Sequence, residues 1–441
     1  MSTNNKIINA NPTKDFFIYM ITRDIDLKYA ILELVDNCID GATKIRPEGD
    51  FTGLWVKINI SEKEFCIEDN CGGISIQIAE NYAFRFGRPK NAENNIDFST
   101  GIFGIGMKRA LFKIGKYFII ESKTKNSIFK VQLDVNEWAS DDKQWNFKFY
   151  DIDENCNNIQ DECGTKIKVT NLYEGIMDDF KLDFFKQELK KHIQNYVSLG
   201  IEKGLKISLN SVNIDSNVIE LYNSDSLRPA YEEYSINGVK IRILAGIGKT
   251  GDPDAAGWYI YCNGRLILAS DQSTITGWDE NTPKFHPTYA RFRGFVFFDA
   301  KDSALLPWNT TKTGVDASSP VFINAKVKMK NMFRSVKDVL SKIKKINDEA
   351  EREDIEEFID SCEKIQISSI NVAKINLGML SNKISATFLS KSSRTYTSDV
   401  TISYKKPKNE VEKVKDLLGI TSNKDVGEKT FDYFLKMESE E

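Results

Sequence analysis

Along residues 30–42, AILELVDNCIDGA, the apolar positions Ile31, Leu34, Val35 and Cys38 recur at i, i+3, i+4 and i+7, the period of one helix face. Glu33, Asp36, Asn37 and Asp40 repeat the same interval about half a turn away, so the predicted helix sets a core face against a stripe of carboxylates and an amide. Residues 56–69, VKINISEKEFCIED, read as two short strands around a polar turn, and NCGGIS ends the second at Asp69. In STGIFGIGMKRALFKIG, residues 99–115, Met107, Ala110, Leu111 and Ile114 have helical spacing behind a glycine-rich opening. A strand follows in ECGTKIKVTNL, residues 162–172, where Ile167 and Val169 alternate with Lys166, Lys168 and Thr170.

Residues 173–204 predict helix, with Phe184, Phe185, Leu189 and Ile193 on one face. From 205 to about 316 the pattern turns to β: GWYIYCNGRLILAS is two strands about Asn263-Gly264, and ARFRGFVFFDA is another. Residues 319–365 predict helices of divided charge, a basic KVKMKNMFRSVKDVLSKIKK and an acidic DEAEREDIEEFIDSCE, expected to match each other within the chain. Met332, Phe333, Val336, Val339, Leu340 and Ile343 give the basic helix an apolar stripe suited to another element or a partner. Around SKSSRTYTSDVTISYKKPKNE the composition becomes linker-like, and VEKVKDLLGI and EKTFDYFLKM predict a small helical tail.

At 441 residues and 41% hydrophobic, the chain has room for two or three domains with cores. A net charge of −4 does not indicate DNA as a constitutive partner. The start MSTNNKIINANPTKDFF holds no apolar signal core, and no run approaches the ~18 apolar residues of a membrane span. The expectation is a cytoplasmic protein with no membrane partner. Seven cysteines form no CxxC pair, and with only His192 and His286 present a zinc site or Cys/His nucleophile is disfavoured.

The acidic stripe contains no Lys or Arg between Tyr29 and Ala42, so it lacks the i,i+4 pairs of a solvated helix face. A cation such as Mg²⁺ fits such a stripe, taking one or two protein oxygens and the rest from water and phosphate. A merely solvated acidic face is the alternative. Gly101, Gly104 and Gly106 stand before a helix, where backbone N–H groups approach an anion closely, and make a candidate phosphate cradle. It is not a P-loop, because Met107 separates Gly106 from Lys108 and Arg109 stands where the hydroxyl belongs. Nor is it a dinucleotide fingerprint, since GxxGxG replaces GxGxxG and follows a polar loop.

Taken in order, ELVDNCIDGA, EDNCGGI, GIFGIGMK and GTKIKV resemble the four boxes of the GHKL superfamily of gyrase, heat-shock chaperone, histidine kinase and MutL. The resemblance covers residues 15–172 closely and extends loosely to about 316, in a layout similar to the two-domain MutL and MORC ATPases. It implies an α+β architecture: a Bergerat-type ATP-binding α/β sandwich over 1–175 and a helical connector over 176–204. A ribosomal-S5-like α/β transducer over 205–318, a helical segment over 319–365 and a linker with a small helical tail over 366–441 complete it. His192 and His286 both follow the boxes, which argues against a sensor kinase with a preceding phosphoacceptor.

The implied ligands are ATP and Mg²⁺, the implied reaction is hydrolysis to ADP and phosphate, and the implied partner is a second copy, joined as a homodimer on ATP binding. The implied role is an ATP-gated clamp in DNA repair, genome maintenance or phage defence. The alternative is an ATP-binding module of negligible turnover that recruits a partner protein through the C-terminal region. Position by position, Glu33 becomes the general base and Asn37 the Mg²⁺ ligand, with Asp36 and Asp40 supporting them. Asp69 becomes the reader of the adenine amine, assisted by Thr165, while Gly73, Gly101, Gly104 and Gly106 give backbone access and Lys108 contacts phosphate. Lys312, in LPWNTTKTGVD, is the second-domain lysine that reaches the γ-phosphate. Cys71 departs from the usual glycine. Arg85, Arg88 and Lys90 fall in the implied lid, and the arm NPTKDFFIYMITRD, apolar at Phe16, Phe17, Tyr19 and Met20, packs across a dimer or caps its own domain.

Overall fold

The computed structural model describes residues 12–87, 104–159, 162–278, 282–309, 311–346, 349–367, 381–390, 402 and 404–438. Gly101, Arg88 and Lys90 lie outside the described residues. Two units divide the chain, Met1–Phe388 and Leu389–Glu441.

The first unit opens with helices α1 (Lys14–Arg23) and α2 (Leu27–Ile45), the hairpin β1 (Trp55–Ile60) and β2 (Phe65–Asp69), and the short α3 (Ile76–Ile78). Next come α4 (Gly106–Ile114), β3 (Gly115–Lys123), β4 (Ile128–Asp134), α5 (Val135–Ala139), β5 (Phe149–Asp153) and β6 (Gly164–Leu172). Helices α6 (Glu174–Lys181), α7 (Asp183–Tyr196) and α8 (Ser198–Glu202) lead to β7 (Lys206–Leu209) and β8 (Val212–Ile214). The sheet order is β5-β4-β3-β6-β2-β1-β7-β8. Only β1 and β7 run parallel within it, with Trp55 opposite Lys206.

The last two strands belong to this sheet, although the sequence groups residues from 205 with the second domain. Pairing with β7 removes an open edge at β1, and Ile207, Leu209 and Ile214 extend the buried layer under it. On α7 the buried residues are Phe185, Leu189, Ile193 and Tyr196, whereas Phe184 is 72% exposed. One residue is about 100° of helix, so Phe184 leaves the stripe its neighbour joins.

The second sheet follows β9 (Ile219–Tyr222) and β10 (Leu227–Arg228). It contains β11 (Ala230–Ile236), β12 (Val239–Ile247), β13 (Gly257–Cys262), β14 (Arg265–Asp271) and β15 (Phe292–Asp299), in the order β11-β12-β15-β13-β14. Helix α9 (Pro320–Lys344) lies against β12 and β15 and buries Phe322, Met329, Met332, Phe333 and Val336. The Phe333 ring sits 4.4 Å from that of Trp278 and 4.9 Å from that of Phe292. Its stripe is therefore core, as amphipathic spacing allows. Helix α10 (Glu349–Ser361) precedes β16 (Lys364–Ile367), which pairs with β9, while β17 (Ser385–Ala386) pairs with β10.

Among the described residues, two of these charges are met outside the helix pair. Lys328 of α9 pairs with Glu232 on β11, and Asp360 of α10 lies 3.2 Å from Arg291. The second unit contains α11 (Lys408–Leu418), closed by Gly419 at φ +66°, and α12 (Asn423–Glu438), and neither helix buries a residue. Among the described residues no helix is long and apolar enough to cross a membrane.

Candidate functional site: a buried ion cluster beside a carboxylate pocket

Helix α2 starts at Asp26, whose carboxylate caps the Lys28 N–H at 2.9 Å. Its apolar residues Ile31, Leu34, Val35 and Cys38 are buried, and so is part of the opposite face: Glu33 is 5% exposed and Asp36 2%. This excludes the reading of a solvated acidic face. Two cations from the second sheet and its following loop cover these carboxylates.

The first is Arg265. Asn263 at φ +47° and Gly264 at φ +79° form the tight left-handed turn between β13 and β14. The Asn263 amide donates to Ala300 O at 3.1 Å and its Oδ1 accepts from Ala300 N at 3.0 Å, which pins the turn to the end of β15. A Cβ on Gly264 would fall 2.3 Å from Leu199 Cδ2, so glycine permits the close approach as well as the φ. Arg265, first in β14, is thereby laid on α2, paired with Asp36 and 3.7 Å from Glu33 Oε1.

The second is Lys312. An antiparallel bridge between Trp308 and Val315 closes its loop, Asn309 Oδ1 accepts from Thr313 N at 3.0 Å, and Lys312 itself sits at φ +53°. A lysine in the left-handed region carries a backbone cost, consistent with a loop shaped to aim one side chain. Its Nζ lies 3.1 Å from Glu33 Oε2 and 3.6 Å from Asp36 Oδ2, and the residue is 3% exposed. Burial pushes the Glu33 carboxyl up, but Lys312, Arg265 and Arg109 of α4 outweigh it and hold it below the usual carboxylate range. Burial pulls the Lys312 ammonium below its usual value against the opposing charge of Glu33.

Gly106 opens α4 directly against the base candidate: a Cβ there would fall 2.1 Å from Glu33 Oε2. Gly104, at φ +63°, precedes it. Lys108 lies in the first turn of α4, two residues after Gly106. Its Nζ is buried and donates to Ala83 O at 2.9 Å and to Gly104 O, tying α4 to the turn after α3. Asn37 is exposed on α2, whereas Asp40 is half-buried and, with Asp36, Arg265 and Lys203, lines a cavity of about 290 Å³ under the β13–β14 turn.

Asp69 forms a second centre. Its Oδ1 accepts from Cys71 N at 2.7 Å and its Oδ2 from the Cys38 thiol at 3.4 Å, so α2 touches both centres. Burial pushes the Asp69 carboxyl up to about 6, against those hydrogen bonds. The Thr165 hydroxyl lies 3.0 Å from Ser122 Oγ, which also accepts from Ile74 N at 2.7 Å. Gly73 adopts φ +71° with room for no Cβ, since one would fall 2.2 Å from Lys123 O. Because Gly72 and Gly73 supply the left-handed residues of this turn, Cys71 in place of glycine leaves it intact.

The arrangement fits a magnesium nucleotide. Glu33 Oε1 is buried and accepts no hydrogen bond among the described residues, and the Asn37 amide is exposed one turn further along α2. Among the described residues no group of three or more His, Cys, Asp or Glu can hold a metal ion, so Mg²⁺ at Asn37 would complete its shell with phosphate and water. The sequence reading missed Arg265, Arg109, Ser122 and Cys38. For Arg265 a signal existed: a charge directly after a two-residue Asn-Gly turn, at the head of the apolar run Leu266, Ile267, Leu268 and Ala269.

Residues 25–165 match the family model described as histidine kinase-, DNA gyrase B-, and HSP90-like ATPase. No curated protein matches the chain. The matched span holds Glu33, Asn37, Asp69, Gly106 and Thr165, and Arg265 and Lys312 lie beyond it.

Proposed function

We propose, from the premise that residues 25–165 form an ATPase domain of the GHKL superfamily, that this protein hydrolyses Mg²⁺–ATP and that Lys312 gates the reaction. One observation carries the reading: a buried lysine from outside that domain rests 3.1 Å from the carboxylate best placed to act as base.

Asp69 accepts the hydrogen bond of the adenine amine. Guanine would present an oxygen there, leaving an unpaired acceptor at a cost of roughly 1–3 kcal/mol. The Thr165 and Ser122 hydroxyls border the same position. Asn37 would hold Mg²⁺, which when bound would supply charge neutralisation along the phosphates. Glu33 takes a proton from the attacking water through the oxygen that accepts no other hydrogen bond.

While Lys312 pairs with Glu33, the carboxylate is a weak base. The terminal phosphate offers the ammonium a more highly charged partner, and transfer of Lys312 to it both neutralises phosphate charge and restores the basicity of Glu33. ADP lacks that phosphate, so Lys312 returns to Glu33. The second sheet, read here as an S5-like transducer, thus senses the nucleotide state. A homodimer that closes on ATP is part of the reading. Its support is α1, which anchors Phe17 against Phe86 and Trp145 but leaves Phe16, Tyr19 and Met20 about half exposed.

The test is light scattering without nucleotide, with ADP and with a nonhydrolysable ATP analogue plus Mg²⁺, alongside phosphate release by wild type and Glu33→Ala. Dimerisation with the analogue alone and Glu33-dependent turnover are expected. Analogue binding with unchanged mass and no turnover would point instead to a structural nucleotide.

A further inference from the structure

We infer that Arg265 is a positioning residue for the hydrolytic site: by occupying the Asp36 carboxylate it reserves Lys312 for Glu33 and the terminal phosphate. The inference rests on the ATPase reading above and adds a residue outside the matched domain.

The geometry poses a problem of allocation. One ammonium, Lys312 Nζ, stands between two buried carboxylates, 3.1 Å from Glu33 and 3.6 Å from Asp36. At such similar separations Coulomb attraction barely distinguishes them. Arg265 distinguishes them: its guanidinium, 3% exposed, pairs with Asp36 and stands farther off, at 3.7 Å, from Glu33. Among the described residues it forms no other ion pair. Without it, Asp36 would be a buried anion lacking its counter-ion, a strongly unfavourable state that Lys312 can relieve by a shift of a few tenths of an ångström. Lys312 would then be held away from the position where it meets phosphate.

The hairpin also synchronises the two cations. Arg265 is fixed to the end of β15 through Asn263 and Ala300, and the loop carrying Lys312 follows the same strand. Docking of this edge on α2 delivers both charges together. The carboxylate i+3 from the base therefore serves to receive the second sheet, while Asn37 remains on the exposed side.

The experiment compares full-length wild type, Arg265→Met, Arg265→Lys and Asp36→Asn/Arg265→Met by steady-state phosphate release and thermal unfolding. Arg265→Met should lower kcat by about tenfold or more with KM within about threefold, the signature of a lost transition-state interaction. Removing the competing carboxylate in the double variant should return kcat to within about threefold of wild type, and Arg265→Lys should retain an intermediate rate. Should Arg265→Met fail to fold, the last two variants carry the comparison. An unchanged kcat per folded molecule in Arg265→Met, or a folded double variant as slow as a folded Arg265→Met, overturns the inference alone. Wild type without Glu33-dependent turnover overturns the ATPase reading and the inference with it.

Discussion

Lys312 Nζ lies 3.1 Å from Glu33 Oε2, a contact that joins positions 279 residues apart in a site almost closed to water. Each partner is costly to bury alone, so removing either leaves the other uncompensated. The pair makes docking of the second sheet and the chemistry of α2 one event.

Glu33→Ala should retain ATP binding while phosphate release falls by about 10²-fold or more, the usual share of a general base. Calorimetry and single-turnover assays separate the two. Loss of binding instead would remove Glu33 from that role.

Lys312→Met should leave ATP affinity within about threefold while slowing hydrolysis by at least about tenfold, as expected for a group that acts in the transition state. A wild-type rate would make Lys312 a structural lysine.

Asp69→Asn should abolish detectable ATP binding and yet stabilise the fold at neutral pH. The folded-state pKa of Asp69 is raised to about 6, so the folded protein binds the proton more tightly than the unfolded chain. Its contribution is most favourable below the unfolded carboxylate pKa and is lost as pH rises through about 6. Denaturant midpoints across pH 4–8 should show wild type losing stability relative to Asp69→Asn over that window, whereas parallel curves would contradict it. ATP affinity, which requires the ionised carboxylate, should run the opposite way.

Gly106→Ala should slow turnover by about tenfold or more without unfolding the protein, because the new methyl would meet Glu33 Oε2 at 2.1 Å. The backbone at Gly106 is helical, so space and not φ sets the effect. An unimpaired kcat would show that the carboxylate can move away at no cost.

Lys14→Met should destabilise the first unit by roughly 1–3 kcal/mol through two unsatisfied carbonyls. The ammonium donates to Trp138 O and to Gln144 O at 2.6 Å and lies 4.1 Å from the centre of the Trp138 ring. Urea unfolding measures the loss. A stability equal to wild type would mean that water replaces the ammonium.

Local patterns exposed much of this arrangement. The two faces of α2, the hairpin β1–β2, the turn at Asn263-Gly264 and the stripe of α9 follow from periodicities of 3.6 and 2 and from residues that tolerate positive φ. The boundary at 205 and the side chain of Phe184 were misread for a related reason. Parallel pairing of β7 with β1 joins strands far apart in the chain, and a helix face one residue wide is decided by what packs on it.

By itself, the sequence determined which residues share a helix face, which glycines can pass close to another backbone, and in what order the four nucleotide-binding boxes occur, because each depends on neighbours within a few residues. Only the tertiary structure decided that the acidic stripe is divided, with Glu33 and Asp36 buried under Arg265 and Lys312 while Asn37 stays exposed. Burial and charge pairing across more than 200 residues depend on how two sheets meet, and no local period encodes that.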